Sequence, residues 1–461
     1  MKIAARWIGL SRIVQMITLI IAFLIFTVSI HLSSMVNWKK VMTNEQGNDN
    51  NNWILAKNKI EFKLQQDSEY DSSKLQERKV GVECDRSDPR TDVCEIYGDV
   101  RVIGNSSSVV LVKSSATESE NTTWKIRPYA RKWEQTTMSS IKELTIVEES
   151  SGERDEHSHL SGCLNNVTSR VPAVIFSTGG FQGNFFHELV DVILPLFLSS
   201  HHYRGEVQFL VTDFKPWWVA KYSPILTRLS RYAVVDVNAD VNVRCFGKVV
   251  VGLRSHKEFG IDPAKTPKGH SMIDFTDFLK RSYSLENKKR SNGSRIRMVI
   301  ISRKKSRAIL NEKRVVRMAR GLGLKVIVAG DEMTRNLSSF ARVVNSCDVM
   351  MGVHGAGLSN MVFLPANATV IQIVPWGGLK WNCRYTYGDP AVEMGLRYAE
   401  YEIGKDETSL SRRYPKTHPV FTDPMSIHKQ GFNAIWSTFL DKQNVRIHVG
   451  KLRKQLSELL Q

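Results

Sequence analysis

The spacing of apolar and polar residues divides the chain into regions of different character. Residues 13–30 form an uncharged run of 18 residues rich in Ile, Leu, Val and Phe. At about 1.5 Å per helical residue, this run nearly spans a bilayer core of about 30 Å. We interpret residues 1–12 as a cytosolic tail, 13–35 as a retained transmembrane anchor and 36–80 as a polar stem. A cleaved signal peptide is the alternative, but its apolar segment would be shorter, and no small-x-small cleavage site follows the run.

Beyond the stem, short apolar runs alternate with amphipathic segments, which is typical of an α/β fold. The first half is predicted to contain strands at 99–103, 109–112, 171–176, 208–211, 233–237 and 248–251. The second half is predicted to contain strands at 297–301, 325–328, 348–353 and 369–374, separated by helices at 312–320, 335–345 and 358–363. The β-α-β-α-β-α-β order of the second half indicates a Rossmann-like sheet.

A basic, polar stretch at residues 287–297 separates the two halves. We therefore predict two Rossmann-like domains, 81–290 and 295–461, that face each other across a cleft. The last helix of the chain is expected to return to the first domain. Because ligands of such sheets bind outside the carboxyl ends of the strands, chemistry is expected at the strand-to-helix junctions.

The charge of the chain allows several classes of partner until the topology is considered. The 64 Lys and Arg residues and 46 Asp and Glu residues give a formal net charge of +18. Such a charge suits nucleic acid, an anionic membrane, an anionic ligand or simply a soluble surface. A lumenal body behind a membrane anchor excludes nucleic acid as the partner. Six N-x-S/T sequons follow the anchor and fit a lumenal location: Asn105, Asn121, Asn166, Asn292, Asn336 and Asn367.

The six cysteines are compatible with the same oxidising compartment. Cys84 and Cys94 are close enough along the chain to bridge a short loop, and we predict that they form a disulfide. No C-x-x-C pair occurs, which argues against a structural zinc site. Buried free thiols are one interpretation of the other four cysteines, but the sequence does not assign their pairing: Cys163, Cys245, Cys347 and Cys383.

The first candidate junction is the glycine-rich segment 177–184, which leads into a helix that starts near Phe185. Asn184, His187 and Asp191 share one helix face about 120° from the apolar positions, so we expect this face to point away from the core. An Asp four residues from a His orients the imidazole and raises its basicity, as a general base requires. A capped amphipathic helix with a surface His–Asp pair is the alternative, and spacing alone favours that alternative.

The second candidate junction is segment 302–307, which follows a predicted buried strand directly. It carries four cations, and the guanidinium groups of Arg303 and Arg307 have the geometry that binds a diphosphate. A solvated run of charges is the alternative. The position at the end of a strand makes the two interpretations about equally good.

The third candidate junction places His354 before Gly355, Ala356 and Gly357 at the start of a predicted helix. Small residues there allow a ligand to reach the backbone N–H groups, which form an anion site. The same residues are similar to the oxyanion hole of lipases, but the chain has no Gly-x-Ser-x-Gly elbow. A P-loop and a dinucleotide-binding glycine fingerprint are also absent from the sequence.

Together the three junctions predict a nucleotide diphosphate that meets an acceptor in a cleft. In a lumenal membrane protein, the corresponding activated ligand is a sugar nucleotide. No Asp-x-Asp motif occurs, so the sequence requires no metal or other cofactor, although it is compatible with a divalent metal. The cations at 303 and 307 and the backbone amides would neutralise the diphosphate instead. Asn184, and Glu332 just past a strand end, are further candidates, the latter for binding the ribose hydroxyls.

These blocks of sequence resemble the family-61 glycosyltransferases, particularly the plant Golgi branch. The most specific block is His354-Gly355-Ala356-Gly357-Leu358. The resemblance extends from about residue 80 to the C-terminus and also includes residues 84–94, 98–101, 183–188 with Asp191, 301–303 with Arg307, and Trp381, Tyr398, Tyr401 and Glu407.

The resemblance implies a GT-B fold with two domains and an inverting transfer from a UDP-sugar. It also implies a pentosyltransferase that decorates xylan, through β-1,2-xylosyl or α-1,3-arabinofuranosyl transfer from UDP-xylose or UDP-arabinofuranose. On this hypothesis Asp191 or His187 deprotonates the acceptor hydroxyl, while Arg303, Arg307, His354 and the amides of 355–357 hold the diphosphate.

The expected partners are a UDP-pentose donor, a xylan or xylo-oligosaccharide acceptor, the Golgi membrane and other enzymes of xylan synthesis. Two alternative functions stay open at this point. One is a β-1,2-xylosyltransferase that acts on protein N-glycans. The other is a non-catalytic, sugar-binding or scaffold subunit of a xylan-synthesising complex.

Overall fold

The computed structural model describes residues 80–113, 122–150, 168–169, 171–285 and 295–460. The predicted tail and anchor and nearly all of the predicted stem lie outside these residues, as do Asn121, Cys163, Asn166 and Asn292. Among the described residues, no helix combines the length and the apolar character that crossing a membrane requires. The described part of the chain is an α/β structure built on two sheets.

The first sheet contains ten strands and joins an antiparallel half to a parallel half. Its spatial order is β4-β5-β3-β2-β10-β7-β8-β9, with β1 paired to β2 and β6 paired to β10. The strands are β1 Gly81–Asp85, β2 Val93–Ile103, β3 Ser108–Lys113, β4 Thr123–Ile126, β5 Leu144–Ser150, β6 Thr168–Ser169, β7 Ala173–Ser177, β8 Gln208–Thr212, β9 Val235–Asp236 and β10 Val243–Val251. β10, β7, β8 and β9 run parallel, whereas β2 pairs antiparallel with β10 and β3.

Helices cover the parallel half of this sheet, so β7 is buried along its whole length, as its continuous apolar run predicts. The helices are α1 Gln135–Ser139, α2 Phe185–His187, α3 Leu194–Ser200, α4 Pro216–Leu229 and α5 Met272–Ser282. A π-helical segment, Glu188–Ile193, joins α2 to α3, and 3-10 turns occur at His201–Tyr203 and Pro263–Lys265. The helices and the sheet bury large side chains against each other, including Phe197, Phe209 and Trp218.

The second sheet has five strands, all of them parallel: β11 Arg297–Ile301, β12 Lys325–Ala329, β13 Val349–Val353, β14 Thr369–Val374 and β15 Arg397–Glu402. Their spatial order is β12-β11-β13-β14-β15. In this doubly wound order the strand sequence reverses between β11 and β13, which is where ligands bind in such sheets. The segments that follow these two strands are 302–307 and 354–357, so the fold brings both predicted anion-binding junctions to one place.

The helices of the second half are α6 Glu312–Gly321, α7 Asp331–Arg335, α8 Leu337–Asn345, α9 Lys380–Cys383, α10 Asp389–Glu393, α11 Pro419–Thr422, α12 Pro424–His428, α13 Phe432–Ile435 and α14 Val449–Leu459. 3-10 helices span Ala356–Phe363 and Ser409–Arg412, and π-helical segments span Arg384–Gly388 and Trp436–Leu440. Leu452 and Leu456 of α14 are buried in the core of the second sheet, beside α6. The prediction that the last helix returns to the first domain is therefore wrong, because the second sheet already covers its apolar face.

The structure joins Cys84 and Cys94, which lie directly opposite each other in the β1–β2 hairpin, in a disulfide, as predicted. Cys347 and Cys383 are buried free thiols, which agrees with the interpretation from the sequence. Cys245, whose pairing the sequence leaves open, is disulfide-bonded.

Three of the predicted sequon asparagines lie in described segments, and all three are exposed: Asn105, Asn336 and Asn367. The side chain of Asn336 also caps α8, because its Oδ1 accepts a hydrogen bond from the backbone N–H of Ser339 at 2.9 Å. A glycan on Asn336 would therefore attach at the cap of a helix, whereas Asn105 and Asn367 lie in loops.

Candidate active site

A cleft of about 630 Å³ lies at the carboxyl ends of the strands and is lined by both halves of the described chain. The first half contributes the segment 183–185 and Lys221, and the second half contributes 301–306, α7 and the start of the Ala356–Phe363 helix. α2 packs directly against that helix. The volume is in the range that small-molecule sites occupy. The three junctions singled out in the sequence therefore meet at one cleft.

His187 and Asp191 form a hydrogen-bonded pair beside this cleft. Asn184 caps α2, because its Oδ1 accepts the N–H of Phe186 at 3.1 Å. His187 Nδ1 lies 2.9 Å from Asp191 Oδ2. The imidazole stacks on the ring of Phe181 with centroids 4.1 Å apart. The His187 side chain is 17% exposed, and its Nε2 has no hydrogen-bond partner among the described residues.

Asp191 itself is completely buried, with a side-chain exposure of 0%. Its Oδ2 also accepts hydrogen bonds from Arg131 Nε at 2.9 Å and from the Tyr129 hydroxyl at 3.0 Å. Burial, and then the Asp191 charge, raise the pKa of Tyr129, so the phenol stays a donor. Burial lowers the pKa of Arg131, but the charges of Asp191 and Glu258 outweigh it and raise that pKa. The carboxylate thus holds the imidazole in place and is itself inaccessible to a ligand.

The expectation that the polar face of this helix points away from the core is wrong for Asp191. The π-helical segment Glu188–Ile193 changes the register in which side chains leave the helix. A close approach of backbone completes the burial, because an added Cβ on Gly180 would lie 2.0 Å from Tyr129 Cζ. Tyr129 and Arg131 carry no spacing signal that links them to residue 191, so the sequence pattern did not find them.

Glu188, beside this dyad, is a second buried carboxylate with a structural task. Its Oε1 accepts the backbone N–H of Gly183 at 3.0 Å, and its Oε2 accepts the Tyr222 hydroxyl at 2.5 Å. Lys221, which lines the cleft, forms an ion pair with the same oxygen. These contacts fix the loop that precedes α2. Glu188 therefore sets the wall of the cleft on the side of the first sheet.

Arg303 and Arg307 converge on the backbone of Gly355 across the switch point. Gly355 has φ +148°, and an added Cβ would lie 2.8 Å from Arg303 Nη1 and 3.1 Å from Arg307 Nη1. Arg303 Nε donates to the carbonyl of Ser306 at 3.0 Å, and Arg307 Nη1 donates to the carbonyl of His354 at 3.0 Å. In the described parts of the chain, neither guanidinium forms an ion pair with a carboxylate.

Both guanidinium groups have lowered pKa values. Burial lowers the pKa of Arg303. Burial and then the charge of Arg303 lower the pKa of Arg307 to about 10, and its Nε is buried without a partner. Both side chains still carry a full charge at neutral pH. One buried and one partly buried cation that face one glycine backbone without a carboxylate counter-ion form a site for an anion.

His354 is kept neutral beside these arginines. Burial, and then the charges of Arg307 and Arg303, lower its pKa to about 3. Its Nδ1 lies 2.8 Å from Gln372 Nε2, and the Tyr398 hydroxyl donates to Gln372 Oε1 at 2.7 Å. Because Tyr398 fixes the amide with its N–H toward the imidazole, Nδ1 is the acceptor and Nε2 carries the proton. His354 is therefore a neutral donor at the anion site.

Aromatic rings connect the dyad to the anion site. Phe186 packs edge-to-face on His187 at 5.3 Å and on Tyr387 at 5.8 Å. The ring of Tyr387 in turn packs on His354 at 5.5 Å. The rings of Phe186 and Tyr387 thus lie between the imidazoles of His187 and His354. Substituting either ring would disturb the spacing between the His187–Asp191 dyad and the anion site.

The structure places most of the predicted site residues together and leaves one out. Ala356 and Gly357 line the cleft at the start of their helix, as Asn184 does on the opposite wall. Glu332 is exposed and does not line the cleft, whereas its neighbour Asp331 does. The structure therefore does not bring Glu332 to the cleft with the other predicted residues. Within the described residues, no group of three or more His, Cys, Asp or Glu side chains is arranged to hold a metal.

Substituting Gly355 with Ala tests the convergence of the two arginines. The new Cβ would force both guanidinium groups apart, so we expect UDP to bind at least about ten-fold more weakly by calorimetry. Gly269→Ala is the matched control, because Gly269 also has a positive φ, +67°, but nothing lies within 4 Å of an added Cβ. Equal UDP affinity in the two variants would show that Gly355 does not position the arginines.

Comparison with known proteins agrees with this geometry. The family model described as Glycosyltransferase 61 matches residues 185–371, which contain α2, the switch point and the third junction. The alpha-1,3-arabinosyltransferase XAT2 of Oryza sativa subsp. japonica is 44% identical over 382 residues, or 82% of this chain. This chain spans 64% of the length of that relative.

Two further relatives are covered over most of their length. The beta-1,2-xylosyltransferase XYXT1 of Oryza sativa subsp. japonica is 38% identical over 82% of this chain and 83% of its own. The xylan glycosyltransferase MUCI21 of Arabidopsis thaliana is 35% identical over 85% of this chain and 81% of its own. The residues that the family model matches include the dyad, the paired arginines and the neutral histidine. The chain belongs to glycosyltransferase family 61.

Proposed function

We propose that this protein is an inverting glycosyltransferase that moves a pentose from a UDP-sugar to xylan. The observation that carries the proposal is a pair of arginines, Arg307 buried and Arg303 partly buried, without carboxylate partners, at a switch point beside a His–Asp dyad. A sugar-binding or scaffold subunit has no need of such an anion site. The names of the relatives support the chemistry: two transfer arabinose or xylose, and one acts on xylan.

In the proposed reaction, His187 is the base and Asp191 positions it. An acceptor hydroxyl loses its proton to His187 Nε2 while its oxygen attacks the anomeric carbon of the donor. The bond from that carbon to the β-phosphate oxygen breaks, and UDP leaves with the bonding electrons. Arg303 and Arg307 stabilise the charge that develops on the diphosphate, and the Nε2–H of His354 donates a hydrogen bond to it. The buried carboxylate stabilises the imidazolium that forms.

We propose that each of the two sheets supplies one side of the reaction. Residues 81–290 supply the base and the acceptor side, and residues 295–461 supply the donor side, in a GT-B arrangement with the cleft between them. The switch point of the second sheet and the walls that both halves give to the cleft support this arrangement.

We propose a Golgi location with a single membrane anchor at 13–35 and a lumenal body. The disulfide of Cys84 and Cys94, the bonded Cys245 and the exposed sequons fit an oxidising, glycosylating compartment. Partners in that compartment would include other enzymes of xylan synthesis.

The direct test supplies the purified full-length protein with UDP-xylose or UDP-arabinofuranose and xylo-oligosaccharides, followed by analysis of product mass and linkage. One donor should yield a β-1,2-xylosyl or an α-1,3-arabinofuranosyl product. A parallel reaction offers an N-glycan as the acceptor. If sugar were transferred to the N-glycan and not to xylo-oligosaccharides, the natural acceptor would be the N-glycan. Absence of UDP binding by calorimetry would overturn the enzyme proposal and favour a scaffold.

We expect transfer to proceed without a divalent metal. The charge of the diphosphate meets two guanidinium groups and a neutral N–H donor, which together replace a carboxylate-held cation. Excess EDTA should therefore leave the initial rate within about two-fold of the rate of the untreated enzyme. Loss of activity in EDTA that Mn²⁺ restores would contradict this expectation.

A further inference from the structure

Two helical segments beside the anion site expose large aromatic side chains in pairs. Trp381 and Tyr385, four residues apart on α9 and the π-helical segment after it, are 60% and 53% exposed. Phe432 and Trp436, four residues apart on α13 and its π-helical continuation, are 66% and 41% exposed. The rings of this second pair lie 6.2 Å apart at 35°. We call these four side chains the aromatic platform.

Each of the two segments touches the anion site through one aromatic ring. Arg307 Cζ lies 5.5 Å from the centre of the Trp436 ring. On the other segment, Tyr387 follows Tyr385 by two residues and packs on His354 at 5.5 Å. Trp436 thus joins the second pair directly to the site at which the proposed donor diphosphate binds, and Tyr387 anchors the segment that carries the first pair to the same site.

The exposed faces of these segments are not required for the core. Both segments pack on one small cluster through buried side chains, Leu379 and Cys383 from the first and Phe439 and Leu440 from the second. Their exposed rings lie outside this cluster. Apolar aromatic surface left in water at two neighbouring elements is characteristic of a binding surface.

The two cations on the first segment of the platform, Lys380 and Arg384, are paired with carboxylates. Lys380 Nζ lies 3.6 Å from Glu400 Oε2 and 3.8 Å from Glu402 Oε2, and Arg384 Nε lies 3.3 Å from Asp389 Oδ1. This contrasts with the anion site, whose arginines have no carboxylate partners in the described chain. The platform accordingly suits an uncharged ligand.

We propose that the aromatic platform, although it lies on the donor half, stacks on distal residues of a neutral β-linked pyranose polymer, the acceptor chain, whose reacting residue the first half holds at the base. Pyranose rings present a flat face of C–H groups that packs on aromatic rings, and a polymer offers one such face per residue. This inference rests on the proposed function and adds to it the surface that selects long acceptors. It also assigns roles to Trp381, Tyr385 and Phe432, which the transfer chemistry does not use.

The test compares Trp381→Ala and Phe432→Ala with the parent on short and long xylo-oligosaccharides. We expect the acceptor KM to rise about ten-fold for long oligomers, the effect of losing about 1.4 kcal/mol of contact. For short oligomers, the acceptor KM should rise little. UDP affinity and kcat should stay near those of the parent. Trp381→Phe, which keeps a ring, should restore most of the affinity for long oligomers.

The matched control is Tyr232→Ala, because Tyr232 is an exposed aromatic that precedes the amino end of β9, away from the cleft. An unchanged acceptor KM in both platform variants would overturn the proposal while leaving the transferase function standing. A loss of UDP affinity instead would also overturn it and make the platform part of the donor site. The parent protein could also neither bind UDP nor transfer sugar, yet be retarded in a xylan-containing gel through these rings. That result would overturn the proposed function and leave the platform standing as a binding surface.

Discussion

Asp191→Asn is expected to lower kcat for transfer by about 10²–10⁴-fold, the range over which general-base catalysis contributes. The Asn side chain can still accept hydrogen bonds from Tyr129, Arg131 and His187 through one oxygen. Its amide nitrogen would occupy the position of Asp191 Oδ1, which has no partner in the structure. The substitution removes the charge that stabilises the imidazolium and leaves the geometry nearly intact. Initial rates at saturating donor and acceptor measure the effect.

His187→Gln should lower kcat by as much as Asp191→Asn does. The double variant should be no slower than either single variant, because the two residues act as a unit. UDP affinity by calorimetry should be unchanged in all three. The matched control is Asp240→Asn, which breaks an ion pair with Arg244 near the start of β10, away from the cleft. Near-parental rates in His187→Gln would exclude that imidazole as the base.

Arg307→Ala is expected to weaken UDP binding by at least about a hundred-fold, which corresponds to about 2.7 kcal/mol. The guanidinium is buried, holds the carbonyl of His354 and faces Gly355 beside Arg303. Removing it takes away one of two charges that meet the diphosphate. Arg307→Lys keeps the charge but loses the planar fork, so we expect an intermediate loss of about ten-fold.

Arg317→Ala is the control for this charge, because Arg317 is an exposed residue of α6. It should bind UDP like the parent, and its melting temperature should match. If Arg307→Ala bound UDP normally and failed only in transfer, Arg307 would stabilise the transition state without holding the ground state.

The second half of the fold could be predicted well because four of its five strands are short, largely apolar runs. β11 and β14 match the predicted bounds, and β12 and β13 differ by one residue. β15 was not predicted, because Arg397–Glu402 mixes charged and aromatic residues and is only partly buried. In the first sheet, the predicted strands 99–103 and 109–112 lie within β2 and β3, but β1, β4 and β5 and the pairing of these strands were not predicted. The sheet joins β2 to β10, more than a hundred residues away, and short-range periodicity carries no such information.

For the candidate site, spacing found the residues that share an element and missed those that meet through the fold. His187 and Asp191 are four residues apart, so their contact was predictable. Arg131 reaches the same carboxylate from sixty residues away. Gln372 likewise reaches His354 from the neighbouring strand and sets its tautomer. The direction of Asp191 was mispredicted because a regular α-helical period was applied to a π-helical turn.

The disulfide between Cys84 and Cys94 closes the loop that contains Arg90. Arg90 Nη1 lies 2.7 Å from Glu258 Oε2, Glu258 Oε1 lies 2.6 Å from Arg131 Nη2, and Arg131 holds Asp191. A covalent link in the first sheet is thus three ion pairs from Asp191, which positions the proposed base. The choice of expression host follows from this: protein made in a reducing cytosol would lack the link, and we expect it to turn over more slowly. Folding yield alone would be a misleading guide to the quality of such a preparation.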